Sequence, residues 1–266
     1  MYLFVKYSQL REHFLNSSAI HSMSSLLLFM IYFSVCSRSG KQPKSLAKLT
    51  AYCSRIDFTR IKVAYDAKSI YEGHKENIEF FRALNLEPDD IIVLCHDDLD
   101  LISNSEDLLA YLNVARKPGV GFVGVAGSCY IPSDGAWWNA RKTNDARGFV
   151  FQGANPETMM PNYFGKAGQV VVLDGCFLAI TYKNLMKIGL DEPEYLETGW
   201  DFYDIHMTYK AHLDGFSNYV VPIITMHESP GMMREGWYTA KDKFMRHHAS
   251  TIHHSKLPTD KTHGLP

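Results

Sequence analysis

Residues 91 to 100 read Ile-Ile-Val-Leu-Cys-His-Asp-Asp-Leu-Asp, a continuous apolar run that breaks off into three carboxylates, Asp97, Asp98 and Asp100. A short run with no polar alternation suits a strand buried on both faces, which implies a largely parallel sheet with helices on either side. Ligands of such sheets collect beyond the carboxyl ends of the strands. On an extended chain Asp98 and Asp100, two apart, face the same side, and hard cations such as Mg²⁺ or Mn²⁺ take oxygen ligands. The junction is therefore expected to hold a cation that grips a diphosphate.

The rest of the chain alternates in the same sense, which argues for an α/β layer structure. Strands are expected at Leu26 to Val35, Arg60 to Tyr65, Asp90 to Cys95, Gly121 to Ala126, Val170 to Thr181 and Asn218 to Ile224. Helices are expected at Lys44 to Arg55, Tyr71 to Asn85, Ser105 to Arg116 and Tyr182 to Ile188. In the second helix Ile78, Phe81, Ala83 and Leu84 form an apolar stripe that Pro88 stops. Residues 130 to 168, rich in Gly, Pro, Asn and aromatics, read as a long loop region.

A formal net charge of -2, with 21% charged and 46% hydrophobic residues, gives no electrostatic reason to expect a nucleic-acid partner. Of the five cysteines, Cys36, Cys95 and Cys176 sit in or beside apolar runs, and no CxxC pair occurs. They are expected to be reduced and mostly buried, which suits a reducing, cytoplasmic setting. The apolar run Leu26 to Cys36, eleven residues, is well short of the ~20 that span a bilayer as a helix, though it is compatible with peripheral membrane association. The expected organisation is an arm at 1–22, one domain at 23–240, and a helix end with tail at 241–266, where His247, His248, His253 and His254 read as solvated.

A second acidic region, Gly199-Trp200-Asp201-Phe202-Tyr203-Asp204-Ile205-His206, leads into a helix-like stretch ending at Asp214-Gly215-Phe216. Asp204 falls in the first turn, where unpaired backbone N–H groups favour its charge and its carboxylate is expected to aim outward. Taken alone, Asp204 reads better as a helix cap than as a base. Upstream, Val170 to Leu173 followed by Asp174-Gly175-Cys176-Phe177 reads as a strand, a turn and another strand, and Gly175 lets the backbone approach a ligand. Downstream, Val220 to Ile224 runs into Met226-His227-Glu228-Ser229, a strand ending in a metal or phosphate ligand or in a packed histidine. Trp137 and Trp138, within the long loop, are equally sugar-stacking platforms or core anchors.

The order of these motifs, strand plus aspartates, then Asp-Gly-Cys-Phe, then Tyr-Asp before a helix ending in Gly-Phe, then His-Glu-Ser, resembles the GT-A-fold glycosyltransferases of the family-two-like superfamily. Within it the chain is most similar to the branch with a His-x-Asp metal motif, over roughly residues 26 to 230. The resemblance implies a Rossmann-like mixed sheet flanked by helices, and a nucleoside-diphosphate sugar as donor. It makes Asp98 and Asp100 the metal and diphosphate site, with Asp97 beside them and His227 as a further ligand to Mn²⁺ or Mg²⁺. Asp66 matches the position that contacts the nucleoside, Asp174 and Gly175 the segment near donor sugar and acceptor, and Asp204 the catalytic base. From the residues alone, Asp66 is equally a turn former. Two departures, Tyr203 where an acidic residue is usual before the base and His206 two places after it, bring Asp201 into play as a substitute.

Transfer then requires a cation to stabilise the departing diphosphate and a carboxylate on the opposite face to take the acceptor's proton, which inverts the anomeric centre. The acceptor is a glycan, lipid or protein hydroxyl. Two other classes compete: a related fold that binds nucleotide or glycan without turnover, supported by the altered residues around Asp204, and a nucleotidyltransferase. The latter needs a Gly-rich basic loop of which Ser37-Arg38-Ser39-Gly40-Lys41 is a faint echo.

Overall fold

The computed structural model describes residues 29–38, 44–154, 158–197, 199–229, 231, 233–258 and 265. The 1–22 arm, the first three residues of the expected strand at Leu26 and most of the Ser37-to-Lys41 loop lie outside the described residues.

Strand β1 (Ile31–Ser37) shows why apolar runs here do not alternate with polar residues. Ile31, Phe33 and Val35 point into one core and Tyr32 and Cys36 into another, so both faces are dry. β2 (Thr59–Tyr65) and β3 (Ile91–His96) flank β1 in parallel. The first core is closed by α1 (Lys44–Ser54), through Leu46, Leu49 and Cys53, and by Leu108 and Leu112 of α3 (Ser105–Leu112). The second core is closed by α2 (Ile70–Arg82), which contributes Ile70, Ile78 and Phe81. Ser69 starts α2 by accepting the Glu72 N–H, as a capping serine should. Buried Asp90 accepts the Met30 N–H at 2.7 Å and the Glu87 N–H at 2.8 Å, which pins the approach to β3.

Beyond β3 come β4 (Leu99–Leu101), β5 (Val120–Gly124), β6 (Ala126–Ser128), β7 (Ala146–Gln152), β8 (Met160–Gly165), β9 (Gly168–Val170), β10 (Val172–Leu173), β11 (Phe177–Thr181), β12 (Ser217–Val220) and β13 (Thr225–His227). The helices α4 (Tyr182–Ile188), α5 (Tyr203–Leu213), α6 (Glu235–His247) and α7 (Ala249–Ile252) complete the set. Among the described residues the main sheet runs β2-β1-β3-β11-β5-β12-β9, and a second sheet runs β10-β6-β7-β13-β4 with β8 added to β7. β11 lies antiparallel between β3 and β5, and β12 is parallel to β5. The result is the mixed α/β arrangement expected, flanked by helices.

Four expectations change. The stretch Val170 to Thr181 has the expected turn at Asp174-Gly175 before β11, but it holds three strands rather than two, because a further break at Val171 separates β9 from β10. Asn218 to Ile224 splits at Pro222, whose missing N–H cannot serve a ladder, and the chain crosses to the second sheet as β13. Residues 130 to 168 are not a loop: a 3-10 turn at Trp137–Thr143 leads into the β7–β8 hairpin. Gly148 and Gly165, both at positive φ and paired at a register shift, blurred its alternation. Finally, at the C-terminal helix end, where Ala240 and Phe244 of α6 join the main core, the histidines are not all solvated. His248 is no solvated tail residue: it packs on Phe244 at 4.6 Å between ring centroids and lies 3.1 Å from the Tyr195 hydroxyl. His253 and His254 are exposed.

The five cysteines are free and buried. No helix among the described residues is long and apolar enough to cross a membrane. Phe33 is wholly buried in the core against β1's neighbours. Phe33→Ala is expected to cost about 3–5 kcal/mol in urea unfolding. A loss under about 1 kcal/mol would show that this face is not packed as described.

Candidate functional site

The site lies where β1, β2 and β3 end at their carboxyl termini and β11 begins, the place open α/β sheets keep for ligands. β3 ends on His96, and its backbone N–H donates to the Cys176 carbonyl at 3.3 Å. Asp97 and Asp98 then form a tight turn into β4. β13 pairs antiparallel with β4, placing His227 opposite Leu99, and the Glu228 N–H donates to the Asp98 carbonyl at 2.8 Å. Glu228 itself turns back to α1, where its carboxylate accepts the Ser45 N–H and hydroxyl.

These connections bring His96, Asp98 and His227 together, with one ligand atom from each within 4.8 Å of the others. Asp98 Oδ1 lies 3.1 Å from His227 Nε2 and 3.7 Å from His96 Nδ1, and the two ring nitrogens are 3.3 Å apart. Asp98 Oδ1 is buried, with His227 Nε2 at 3.1 Å as its near partner. Two imidazole nitrogens and a carboxylate oxygen facing one point form a donor set that fits a divalent cation. Burial lowers the His96 pKa, which keeps its imidazole neutral as a ligand must be. Burial works to raise Asp98, but His227 and His96 outweigh it and hold the carboxyl below its ordinary value. For His227, burial works to lower the pKa, and Asp98 overcomes it and lifts the imidazole above its ordinary value.

Asp100 does not join this group. The turn at Asp97-Asp98 breaks the extended geometry that would have put Asp98 and Asp100 on one side. Within β4, Asp100 is opposite Met226 while Leu99 is opposite His227, so Asp100 takes the other face. There it is buried and paired with Lys48 of α1 at 3.3 Å. The member of the cluster that residue reasoning left out is His96, and its signals were its place at the end of the buried strand and its His-x-Asp spacing to Asp98. Asp97 sits in the same turn, its carboxyl raised by burial although Ser37 opposes this.

The second half of the site is built on α5. Phe202 enters the helix at φ 67, a left-handed conformation that sharpens the turn. Buried Asn218 clasps α5 to the sheet: its side-chain amide donates to the Val171 and Thr208 carbonyls and accepts the Phe122 N–H. Asp204 is not aimed outward as expected. Its carboxylate turns in and accepts the Gly175 N–H at 2.8 Å, and burial together with the charge of Asp174 raises its pKa to about 7. Gly175 is required here, because a Cβ would lie 2.4 Å from the Tyr203 hydroxyl and 2.9 Å from Asp204 Cβ.

Asp174 accepts the Cys176 N–H at 2.9 Å and the Trp137 indole N–H at 3.1 Å. Trp137 is thus a buried anchor rather than an exposed platform, while Trp138 packs half-buried between Trp137 and Trp237. Asp201 lies 4.0 Å from the Arg38 guanidinium, with Gly236 packed against it. Asp66 is exposed at the end of β2 with φ 55, and its N–H donates to the Ser37 carbonyl at 3.1 Å.

The two halves touch. Tyr203, beside Asp204, places its hydroxyl 3.0 Å from His96 Nε2 and 2.8 Å from the Gly175 carbonyl. A cluster of atoms suited to a cation and a carboxyl raised to about 7 are therefore linked through Tyr203 and Gly175.

Residues 48–256 match the family described as "Glycosyltransferase like family". No individually curated protein matches the chain. Among solved structures, A197 from STIV is similar with a TM-score of 0.42 and 12% identity, covering 73% of this chain and 82% of that one. GalNAc-T7 with UDP, GalNAc and Mn²⁺ is similar with a TM-score of 0.42 and 12% identity, covering 79% of this chain and 45% of that one.

Proposed function

The chain belongs to the glycosyltransferase-like family and is a glycosyltransferase, and from that premise we propose a GT-A-type, metal-dependent, inverting enzyme that takes its sugar from a nucleoside diphosphate. The observation that carries this reading is the direct link, through Tyr203 and Gly175, between the His96, Asp98 and His227 cluster and the raised carboxyl of Asp204.

His96, Asp98 and His227 would hold the cation. Two imidazoles and one carboxylate rank Mn²⁺ above Mg²⁺, which prefers an all-oxygen shell. When bound, the cation neutralises charge on the diphosphate as the sugar leaves. Asp204 supplies the complementary half. Its carboxylate accepts the proton of the acceptor hydroxyl while that oxygen bonds to the anomeric carbon. The bond to the diphosphate breaks with its electron pair on the leaving oxygen. A base with a pKa near neutrality is ionised often enough to act and basic enough to take a proton as the bond forms. Attack opposite the leaving group inverts the anomeric centre. Asp174 raises Asp204 by its charge, and the Gly175 N–H fixes where the carboxylate sits. Asp66 and Asp97, at the ends of β2 and β3, remain the candidates for the nucleoside and diphosphate.

Thermal unfolding with a panel of nucleoside diphosphates, each with and without Mn²⁺, tests this reading. One diphosphate at a hundred times its Kd should stabilise the protein by about 2.7 kcal/mol, and only with Mn²⁺ present. Equal stabilisation without metal would remove metal dependence from the account. Binding without any hydrolysis or transfer of the matching nucleotide-sugar would favour a binding protein over an enzyme.

A further inference from the structure

The hydroxyl of Tyr203 joins the two halves of the site, between His96 Nε2 and the Gly175 carbonyl. Tyr203 has one hydroxyl proton. Its oxygen lies 2.8 Å from the Gly175 carbonyl, which can only accept, so that proton is committed to Gly175. His96 Nε2 lies 3.0 Å from the same oxygen and must be the donor in that contact. A neutral imidazole carries one proton, so with Nε2 protonated the Nδ1 lone pair is bare. Nδ1 is the atom that faces Asp98 and His227.

We propose that Tyr203 is a positioning residue that commits His96 to the Nε2–H tautomer, presenting Nδ1 as a metal ligand, and that it couples this geometry to the placement of Asp204. The inference rests on the reading of His96, Asp98 and His227 as the metal site. The coupling runs through a single glycine: the Gly175 carbonyl accepts from Tyr203 and the Gly175 N–H donates to Asp204, the next residue of the same helical turn. A metal ligand whose other ring nitrogen is left unanchored can rotate or adopt the wrong tautomer, and anchoring partners of this kind are worth roughly 10- to 100-fold in metal affinity. Tyr203 suits the task because its ring is itself fixed. It is buried, with Tyr71 edge-on at 6.5 Å between centroids and His74 at 6.5 Å. An acidic side chain at this position would also accept from Nε2–H, but it has no proton to give the Gly175 carbonyl when ionised.

Two measurements on the full chain test the inference. The first is ¹⁵N NMR of histidine-labelled, metal-free protein at neutral pH, with His96 assigned by difference from His96→Gln. The Nε2–H tautomer is expected, and an Nδ1–H tautomer overturns the inference without any need for a folded Tyr203 variant. The second is Mn²⁺ affinity, without donor, of Tyr203→Phe, which keeps the ring and loses only the hydroxyl. Its Kd for Mn²⁺ should rise about 10- to 100-fold while its urea midpoint stays close to wild type, and the His96 resonances should show the Nε2–H form depleted. Unchanged Mn²⁺ affinity in Tyr203→Phe, with wild-type binding intact, overturns this inference alone. Failure of the wild type to bind Mn²⁺ overturns the proposed metal site and this inference with it.

Discussion

Asp204→Asn is expected to lower kcat by about 10²- to 10⁴-fold while leaving donor affinity near that of the wild type. The amide keeps the size of the side chain and can still accept the Gly175 N–H, so the helix turn and the donor cleft persist. What it cannot do is take a proton from the acceptor. In the wild type, kcat/KM reports the free enzyme and should rise with pH through about 7, the value to which burial and Asp174 raise this carboxyl. That limb should vanish from the residual activity of the variant. The same shift has a stability consequence of definite sign. A carboxyl whose folded pKa lies above its unfolded value contributes stability that is complete below the unfolded value of 3.8 and is lost as pH rises through about 7. Above neutrality, Asp204→Asn should therefore unfold at a higher temperature than the wild type, gaining stability as it loses turnover. Wild-type rates in the variant, at unchanged donor affinity, would remove Asp204 from the mechanism.

The second large effect concerns the metal ligands. His96→Ala, Asp98→Asn and His227→Ala should each lower kcat by about 10²- to 10³-fold, the scale for removing one preorganised element of charge stabilisation. Each should bring the enzyme to the rate that a chelator leaves in the wild type. Combining any two should add little, since the three act as one unit. Asp100→Asn is the informative contrast. Its carboxylate pairs with Lys48 on the opposite face of β4, so Mn²⁺ affinity should be unchanged and only stability should fall. If Asp100→Asn instead abolished Mn²⁺ binding while His96→Ala did not, the ligand set would be the Asp-x-Asp spacing read from sequence and not the cluster seen in the fold.

That contrast also shows what a sequence can and cannot convey here. The central strands were legible because burial on both faces leaves an unbroken apolar signature, as in Ile91 to Leu94. The helices were legible from their stripes and caps. Asp204 could be placed because a helix start carries local signals, but not its inward turn toward Gly175, which depends on a residue 29 positions away. The β7–β8 hairpin was hidden because its strands alternate weakly and glycines stand at its register shift. The choice between His96 and Asp100 turned on a two-residue bend that reverses which side chain faces the site, and composition carries no trace of it. Tyr203 looked like a departure from the expected acidic residue. In three dimensions its hydroxyl meets both His96 and Gly175, a task that requires a proton as well as a lone pair.

The position of the cation decides between these ligand sets. Anomalous diffraction from crystals grown with Mn²⁺ and a nucleoside diphosphate locates it directly. One strong peak is expected, bonded to His96 Nδ1, Asp98 Oδ1 and His227 Nε2, with the diphosphate on its open side and Asp204 facing the sugar site. A peak bonded to Asp100, or a bound diphosphate with no metal at the His96, Asp98 and His227 cluster, would contradict this assignment.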